Sequence, residues 1–536
     1  TQSRSSAASD VYKRQALKIS KKIGFPVLLK ASAGGGGKGM RIVRKDKELE
    51  ENFIAAKSES KKSFGDDRVF IEKYIEQPRH IEIQILCDKH GNQIHLGERE
   101  CSIQRRYQKV IEECPSPFVD EDMRSEMASQ ALILAKEVKY DSAGTVEFVV
   151  DSKKNFYFLE MNTRLQVEHP VTELVTGIDL VEQMILSADN KKLAIRQEDI
   201  KLNGWSVESR IYAEDPTKDF LPSIGRVTRY IEPKKIEKDY EVIRNDTGIS
   251  PGSEVSLYYD PMISKLAVHS KDRISAINLM INSLQNYYLS GLENNIDFLI
   301  AILEDKKFQK GEISTNFIKE KFKRGYSSNL TMTDDKRQKF GIIAMLMYAK
   351  QSFNLSNVIS KNFSVKISED YLDIFLKEAA IVDNSLSLLI DFNKKKIKVE
   401  SSFNLNQKLC SFKVNEEIFY FKINDLINMH TSDVSFLDCR TTTVVVQSSQ
   451  KDLLKLMPKD AKEDLSKKLI SPMPGLIKSV DVIEGQKVKN ADQLLIIEAM
   501  KMENILKSEK DCVIEKILVK AGDSVSADEE LILFKN

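Results

Sequence analysis

Glu147 lies in the run TVEFVVD (145–151) and Glu160 in FYFLEMN (156–162), two β-rich segments joined by Ser152–Asn155. Pairing Asp151 with Phe156 sets Glu147 directly opposite Glu160 on one face of a hairpin. Cross-strand neighbours have Cβ atoms ~5 Å apart, a distance at which like charges destabilise. A divalent cation removes that penalty, and hard carboxylate oxygens suit Mg²⁺ or Mn²⁺. The second strand is expected to run on as EMNTRLQVEH (160–169) until Pro170 ends it. Alternation then sets Glu160, Asn162, Arg164, Gln166 and Glu168 on one face, with Met161, Thr163, Leu165, Val167 and His169 on the other. A single polar row on a strand is usually just solvated. Its alignment with a glutamate from the neighbouring strand favours a metal and substrate site.

A second candidate is the loop KASAGGGGKG (30–39), which follows the apolar run Val27–Leu29 and precedes Met40–Val43. Glycines let the backbone approach a phosphate closely and present bare N–H groups to it. Lys30 and Lys38 add positive charge beside them. The Gly-Lys-Ser/Thr of a Walker motif is missing, so the expectation is a nucleotide lid of another kind.

The third is Lys501, inside EAMKME (498–503). Strands 493–499 and 502–508 are expected to meet in a tight turn that puts Lys501 at an exposed tip. The surrounding module repeats itself. A shift of 37 positions lays Gly485 on Gly522, Val488 on Val525, Leu494 on Leu531, and Ile477, Val480 and Val482 on Ile514, Ile517 and Val519. Two matching sets of short strands imply a small sandwich or flattened barrel with pseudo-twofold symmetry.

These residues need several cores to hold them. At 536 residues, 41% hydrophobic and 30% charged, the chain is an ordinary multidomain globular protein. Its 81 basic and 80 acidic residues leave no field to attract nucleic acid. The apolar run Phe340–Ala349 falls far short of the ~20 residues that span a bilayer. Six scattered cysteines without a Cys-x-x-Cys pair argue against zinc or a disulfide framework, and for a reducing compartment. Residues 1–15 (TQSRSSAASDVYKRQ) lack apolar period and read as a tag or disordered arm. A helix over Ala16–Ile23 is closed by Gly24, and another runs from Glu121 to Val138. Short strands fill the rest of 66–170, a basic strand-rich stretch reaches about 265, and helices dominate 272–323. The polar segment 324–335, then a helix near 335–350, lead into strands up to about 456. The charged segment 458–468 reads as a solvated tether.

The stretches KASAGGGGKGM (30–40), EKYIEQPRHIEIQ (72–84), ECSIQRRYQKVIEE (100–113) and EMNTRLQVEHPVTE (160–173) resemble biotin carboxylase, a member of the ATP-grasp superfamily. WSVESRIYAEDP (205–216) and YYDPMISKL (258–266) extend the likeness, which covers Ala16 to about Phe322. It implies ATP contacts at Lys30, Gly36, Gly37, Glu72, Lys73, Ile75, His80 and Gln104. It implies metal ligands at Glu147, Glu160 and Asn162, and a bicarbonate site of Lys109, Arg164, Gln166 and Val167. Glu168 matches the general base, and Arg210 the residue that stabilises the oxyanion developing on the biotin ring. EAMKME, with Ser471-Pro-Met-Pro-Gly475 before it, resembles a biotinyl carrier domain, with biotin joined covalently to Lys501. Lipoyl domains share that fold but lack the two methionines flanking the lysine. Cys512 stands where the family typically has glycine.

The implied fold class is multidomain α+β. An ATP-grasp part (16–204), a biotin carboxylase C-terminal domain (205–323), a strand-rich subunit-docking domain (336–457, a β-barrel with a helix) and a flattened-barrel biotinyl domain (469–536) follow one another. The domain order and the docking region look most like the biotin-bearing subunit of an acyl-CoA carboxylase. That likeness implies ATP- and bicarbonate-dependent carboxylation of biotin, then transfer to an acyl-CoA, propionyl-CoA first among them. The implied partners are a carboxyltransferase β subunit in a hetero-oligomer and a biotin protein ligase, with neither nucleic acid nor membrane. A bacterial cytoplasm or a mitochondrial matrix would fit. A pyruvate-carboxylase-type subunit is one alternative and a biotin carrier without enzymatic activity another. The family also has a Rossmann-like subdomain and the first part of the lid, which precede the matched region. A chain beginning inside the lid is expected to be biotinylated yet inactive alone in bicarbonate-dependent ATP hydrolysis.

Overall fold

A computed structural model describes residues 15–32, 40–238, 240–256, 258–323, 325–327, 332–352, 361–382, 385–392, 395–415, 417–454, 467–499 and 502–535. The chain divides into two compact units. One comprises Thr1–Glu208, His269–Ala276 and Lys310–Lys323, the other Ser209–Val268, Ile277–Gln309 and Arg324–Asn536.

The first unit begins with a small layered module. Helix α1 (residues 15–23) ends at Gly24, whose φ of +84° lets its N–H donate to Ser20 O at 2.8 Å. Strand β1 (Val27–Ala31) then pairs antiparallel with both β2 (Met40–Val43) and β3 (Val69–Lys73). Helix α2 (Leu49–Phe64) covers the sheet, and Ala16, Val27, Leu29, Val43, Leu49 and Ala56 form the shared core. The strands expected on either side of the glycine run are therefore present. Gly36, Gly37 and Lys38 themselves lie outside the described residues.

The larger part of this unit is an antiparallel sheet built from β4 (Arg79–Cys87), β5 (Gln93–Arg105), β6 (Gln108–Cys114), β7 (Ala143–Val150) and β8 (Phe156–Asn162). The strands lie side by side in the order β6-β5-β4-β7-β8. β4 shows why its two faces differ: Ile81, Ile83 and Ile85 alternate with His80, Glu82 and Gln84. Helix α3 (Glu121–Glu137) buries the apolar face. Its Met123, Met127, Ala131 and Ala135 pack on Ile81, Ile83, Val146 and Phe148. Asp120 caps that helix by accepting from Met123 N at 3.0 Å. The polar face is left to the site.

Two expectations about β8 are corrected. The hairpin starts with Val150 opposite Phe156, not Asp151, because the Asp151 N–H closes the turn onto Asn155 O at 2.9 Å. A bulge at Leu159 then absorbs one residue, so Glu147 faces Glu160 after all. The strand also stops at Asn162. Residues 163–168 turn away, and helix α4 (His169–Thr176) follows with Pro170 in its first turn. Proline there initiates a helix, because that turn's N–H groups need no intrahelical partner.

The second unit contains the buried helix Ile296–Leu303 and the longer helix Asp334–Ser352. Phe340 and Ile342–Met347 of the latter join Phe363, Leu376, Phe412 and Phe436 in one core. Those four belong to a closed barrel of eight strands between Lys361 and Gln447. Gly341 allows the close approach: a Cβ there would meet Leu372 Cδ2 at 2.6 Å.

In the C-terminal module two four-stranded sheets face each other. One orders Lys468–Ile470, Glu530–Lys535, Cys512–Ile517 and Lys487–Val488; the other orders Met502–Lys507, Gln493–Ala499, Gly475–Val480 and Ser524–Val525. The 37-residue shift carries Gly475–Val480 onto Cys512–Ile517 and Lys487–Val488 onto Ser524–Val525, so matched strands hold matched places in opposite sheets. Gly485 and Gly522 both adopt positive φ, at +82° and +93°. Leu494 and Leu531 are both fully buried. No helix among the described residues is long and apolar enough to cross a membrane. All six cysteines are buried free thiols.

Candidate active site

The polar face of the first unit's sheet carries a row of charge running across four strands. Arg99 on β5 lies opposite Glu82 on β4, Glu82 opposite Glu147 on β7, and Glu147 opposite Glu160 on β8. Three neighbouring carboxylates would repel one another at cross-strand spacing unless cations met them. Arg99 and Lys109 meet Glu82, and Lys109 also meets Glu147.

Arg99 and Glu82 are wholly buried. Arg99 Nε donates to Glu82 Oε1 at 2.5 Å. Its Nη1 donates to Gln84 Oε1 at 2.6 Å and Thr172 Oγ1 at 2.9 Å. Its Nη2 donates to Thr145 Oγ1 at 3.1 Å and Gln166 Oε1 at 2.9 Å. All five N–H groups of a guanidinium therefore have acceptors. Burial disfavours the charge, but Glu82 and Glu168 reverse this and raise the Arg99 pKa above its ordinary value.

Lys109, on β6, meets the row from the other side. Its ammonium lies 2.6 Å from Glu82 Oε2 and 3.3 Å from Glu147 Oε1, and it also donates to Glu168 Oε1. Burial alone would lower the Lys109 pKa; the carboxylates around it push it well above normal. Burial would raise Glu82, yet Lys109 and Arg99 hold it at about 2.

Glu147 is the most contacted of the carboxylates. Oε1 accepts from Gln166 Nε2 at 2.7 Å and Asn162 Nδ2 at 3.0 Å, and His80 Nε2 lies 2.8 Å from Oε2. Burial opposes its ionisation, but His80, Lys109 and Gln166 together hold its pKa far below the usual range. The other ring nitrogen of His80 lies 2.8 Å from Gln104 Nε2, so these two expected ATP contacts touch each other. Glu160 is exposed and makes no hydrogen bond or ion pair among the described residues. The like-charge penalty read from the sequence is thus met at Glu147 by Lys109 and His80. The case for a metal rests instead on the donor chemistry: hard oxygens of Glu147, Glu160 and Asn162 at one end of a hairpin fit Mg²⁺ or Mn²⁺.

Gln166 and Glu168 arrive by a different route from the one expected. The turn 163–168, not strand alternation, brings them inward, and both are buried. Glu168 stands at the N-cap position of α4. Arg164 stays exposed, donating to Asn162 Oδ1 at 3.3 Å and Leu165 O at 3.2 Å, and Val167 is half-buried. In the small module, the Lys30 ammonium lies 5.7 Å from the Phe70 ring centroid, and Lys73 Nζ donates to Gly24 O at 2.8 Å. Glu72 pairs across from Leu28, and Ile75 follows β3 half-buried. Arg210 belongs to the second unit, where Asn295 Nδ2 donates to its carbonyl at 3.0 Å on strand β9 (Trp205–Tyr212).

Sequence reasoning missed Glu82, Arg99, Thr145 and Thr172. Glu82 had a signal, the alternation of His80, Glu82 and Gln84 with isoleucines. Arg99, between Glu98 and Glu100, reads as one charge of a solvated run.

In the C-terminal module the hairpin is paired up to Ala499 opposite Met502. Met500 and Lys501, which connect those two, lie outside the described residues. Met473 of the Ser471–Gly475 segment is buried beneath the hairpin, its sulfur accepting from Asn504 Nδ2 at 3.8 Å.

Three family descriptions match: "Carbamoyl-phosphate synthase L chain, ATP binding domain" over residues 2–196, "Biotin carboxylase C-terminal domain" over 208–320 and "Biotin-requiring enzyme" over 467–534. With the site above, they define a biotin-dependent carboxylase of the ATP-grasp kind. The propionyl-CoA carboxylase alpha chain of Ruegeria pomeroyi is 46% identical, over 97% of this chain and 79% of that one. The mitochondrial protein of the same name from Homo sapiens is 44% identical, over 97% and 72%. The chain belongs to the family of propionyl-CoA carboxylase alpha chains. Among solved structures, the biotin carboxylase domain of Hydrogenobacter thermophilus 2-oxoglutarate carboxylase, bound to MgADP, ADP and bicarbonate, is 48% identical. It matches 57% of this chain and 67% of that one with a TM-score of 0.55. Rhizobium etli pyruvate carboxylase matches 63% of this chain but 29% of its own, at 39% identity and a TM-score of 0.54.

Proposed function

We propose that the chain carboxylates biotin carried on its own Lys501, using ATP and bicarbonate, for transfer to propionyl-CoA by a partner carboxyltransferase β subunit. The observation that carries this reading is Lys109, whose ammonium meets the Glu147 and Glu168 carboxylates together, with Gln166 donating to Glu147 beside it. Two donors, a base and an anchored metal ligand thus lie within one cluster of mostly buried side chains. Glu147, Glu160 and Asn162 would hold the metal, which neutralises phosphate charge during transfer to bicarbonate. Lys109 Nζ and Gln166 Nε2 would orient bicarbonate, with Arg164 and the backbone at Val167 beside them. Lys30, Gly36, Gly37, Glu72, Lys73, Ile75, His80 and Gln104 would line the nucleotide. Biotin, when bound, would supply the ring nitrogen to be carboxylated; a Glu168 carboxylate oxygen would take its proton, and Arg210 is the residue that the family likeness gives to the charge that would develop.

We assign residues 16–204 to the ATP-grasp part, 205–323 to the carboxylase C-terminal domain, 336–457 to a docking domain for the β subunit and 469–536 to the biotinyl carrier. The relatives' bacterial and mitochondrial sources support a bacterial cytoplasm or mitochondrial matrix. The test is ADP release with free biotin as acceptor, measured with a biotin carboxylase N-terminal segment fused ahead of Ala16. Release that requires both bicarbonate and biotin supports the reading, and release indifferent to bicarbonate overturns it.

A further inference from the structure

We infer that Arg99 is the positioning residue of the bicarbonate pocket, turning Gln166, Lys109 and Glu168 toward the reacting atoms without touching substrate itself. This rests on the reading of Lys109 and Gln166 as bicarbonate contacts.

A guanidinium only donates hydrogen bonds, whereas a glutamine amide has one accepting and one donating end. Arg99 Nη2 occupies Gln166 Oε1 at 2.9 Å, so Gln166 must present its NH₂ group on the other side, where it meets Glu147 Oε1 at 2.7 Å. A flipped amide would set buried donors against buried donors. The same logic fixes Gln84, whose Oε1 accepts from Nη1 at 2.6 Å while its Nε2 donates to Gly144 O at 2.9 Å.

Glu82 is divided in the same way. Arg99 Nε takes Oε1 at 2.5 Å, leaving Oε2 to hold Lys109 at 2.6 Å. The bond from Nη1 to Thr172 Oγ1 at 2.9 Å ties in α4, the helix headed by Glu168. One buried cation thus sets the amide of Gln166, the ammonium of Lys109 and the helix start at Glu168. A buried charge is expensive, and apolar residues could fill the same volume at less cost. What apolar residues cannot do is choose which end of an amide faces the pocket.

Lysine keeps the charge of Arg99 but lacks the planar fork, so Arg99→Lys separates charge from geometry. Thr172→Val is nearly isosteric and removes one acceptor from the fork, so it serves should Arg99→Lys fail to fold. Both are assayed, with a biotin carboxylase N-terminal segment fused ahead of Ala16, by ADP release with free biotin, titrating bicarbonate and ATP separately. Arg99→Lys should raise the bicarbonate KM about tenfold, as expected when a hydrogen bond to a charged group is misdirected, with the ATP KM changed less than about twofold. Thr172→Val should raise the bicarbonate KM about threefold, the smaller effect of one neutral acceptor. An unchanged bicarbonate KM in the folded variants overturns the inference, as does a parallel rise in both KM values. Lack of bicarbonate-dependent release in the unsubstituted fusion overturns the carboxylation reading and this inference with it.

Discussion

The Lys109 ammonium lies 2.6 Å from Glu82 Oε2, with both side chains withdrawn from water. The pair is one contact in a chain of charge that runs from Arg99 through Glu82 and Lys109 to Glu147 and Glu168. A lone buried carboxylate would be neutral; this one is held ionised by two cations, and acid should reveal that.

Glu82 falls from an ordinary 4.5 to about 2, so between those values the folded protein binds fewer protons than the unfolded chain. Its contribution is complete above pH 4.5 and is lost as pH falls toward about 2, amounting to about 3 kcal/mol. Glu82→Gln should flatten the acid limb of a urea-midpoint profile in this window. At pH 7 it should also cost about 3–5 kcal/mol, because Arg99 and Lys109 lose a buried partner. A variant with the wild-type acid slope would show that Glu82 is not the group responsible.

Glu160 offers the opposite case. It is exposed and has no partner to lose, so Glu160→Gln should leave unfolding within about 0.5 kcal/mol of wild type. With the family's N-terminal subdomain restored ahead of Ala16, its Mg²⁺ requirement for ATP hydrolysis should rise by about a hundredfold or more, since loss of an outer-shell partner alone costs about 10–100-fold. Full activity at low Mg²⁺ in this variant would remove Glu160 from the site.

What could be read from the sequence depended on how local the cause was. The repeat at 37 residues and the β-rich runs around Glu147 and Glu160 are local patterns, and both became strands. Even so, Glu147 met Glu160 through a bulge that no two-residue periodicity reveals. The inward turn of 163–168 was hidden because its residues alternate as a strand would, and the Pro170 signal has two meanings. Arg99 was illegible for a plainer reason: its acceptors come from residues 15, 17, 46, 67 and 73 positions away in the chain. Only the folded sheet assembles them.

Lys501 should be the sole biotinylated residue. Made with a biotin protein ligase, the chain should give an avidin signal that Lys501→Ala abolishes. Lys478→Ala, on the neighbouring strand of the same sheet, should leave it intact. A signal persisting in the Lys501 variant would place the modification elsewhere.

The hairpin whose last described pair is Ala499 and Met502 depends on a glycine 24 positions before Ala499. Gly475 opens the strand Gly475–Val480, which pairs with Gln493–Ala499. A Cβ at 475 would lie 2.5 Å from Ile497 Cγ2 and 2.9 Å from Glu498 O, three residues before Lys501 in the sequence. A methyl of Ile497 can rotate aside, but the Glu498 carbonyl is backbone and moves only if the strands part. Gly475→Ala should therefore cost about 1–3 kcal/mol, the range for overpacking, and shift the hairpin that the ligase must grip. Gly485→Ala is the matched control. Nothing lies within 4 Å of its Cβ, and the cost comes from φ of +82°, about 1 kcal/mol and confined to its own turn. The expected result is slower biotinylation for Gly475→Ala than for Gly485→Ala, read as the rate of avidin-shifted protein at a temperature where both remain folded. Equal rates would mean that the ligase tolerates a displaced hairpin and that Gly475 serves only the packing of the sandwich.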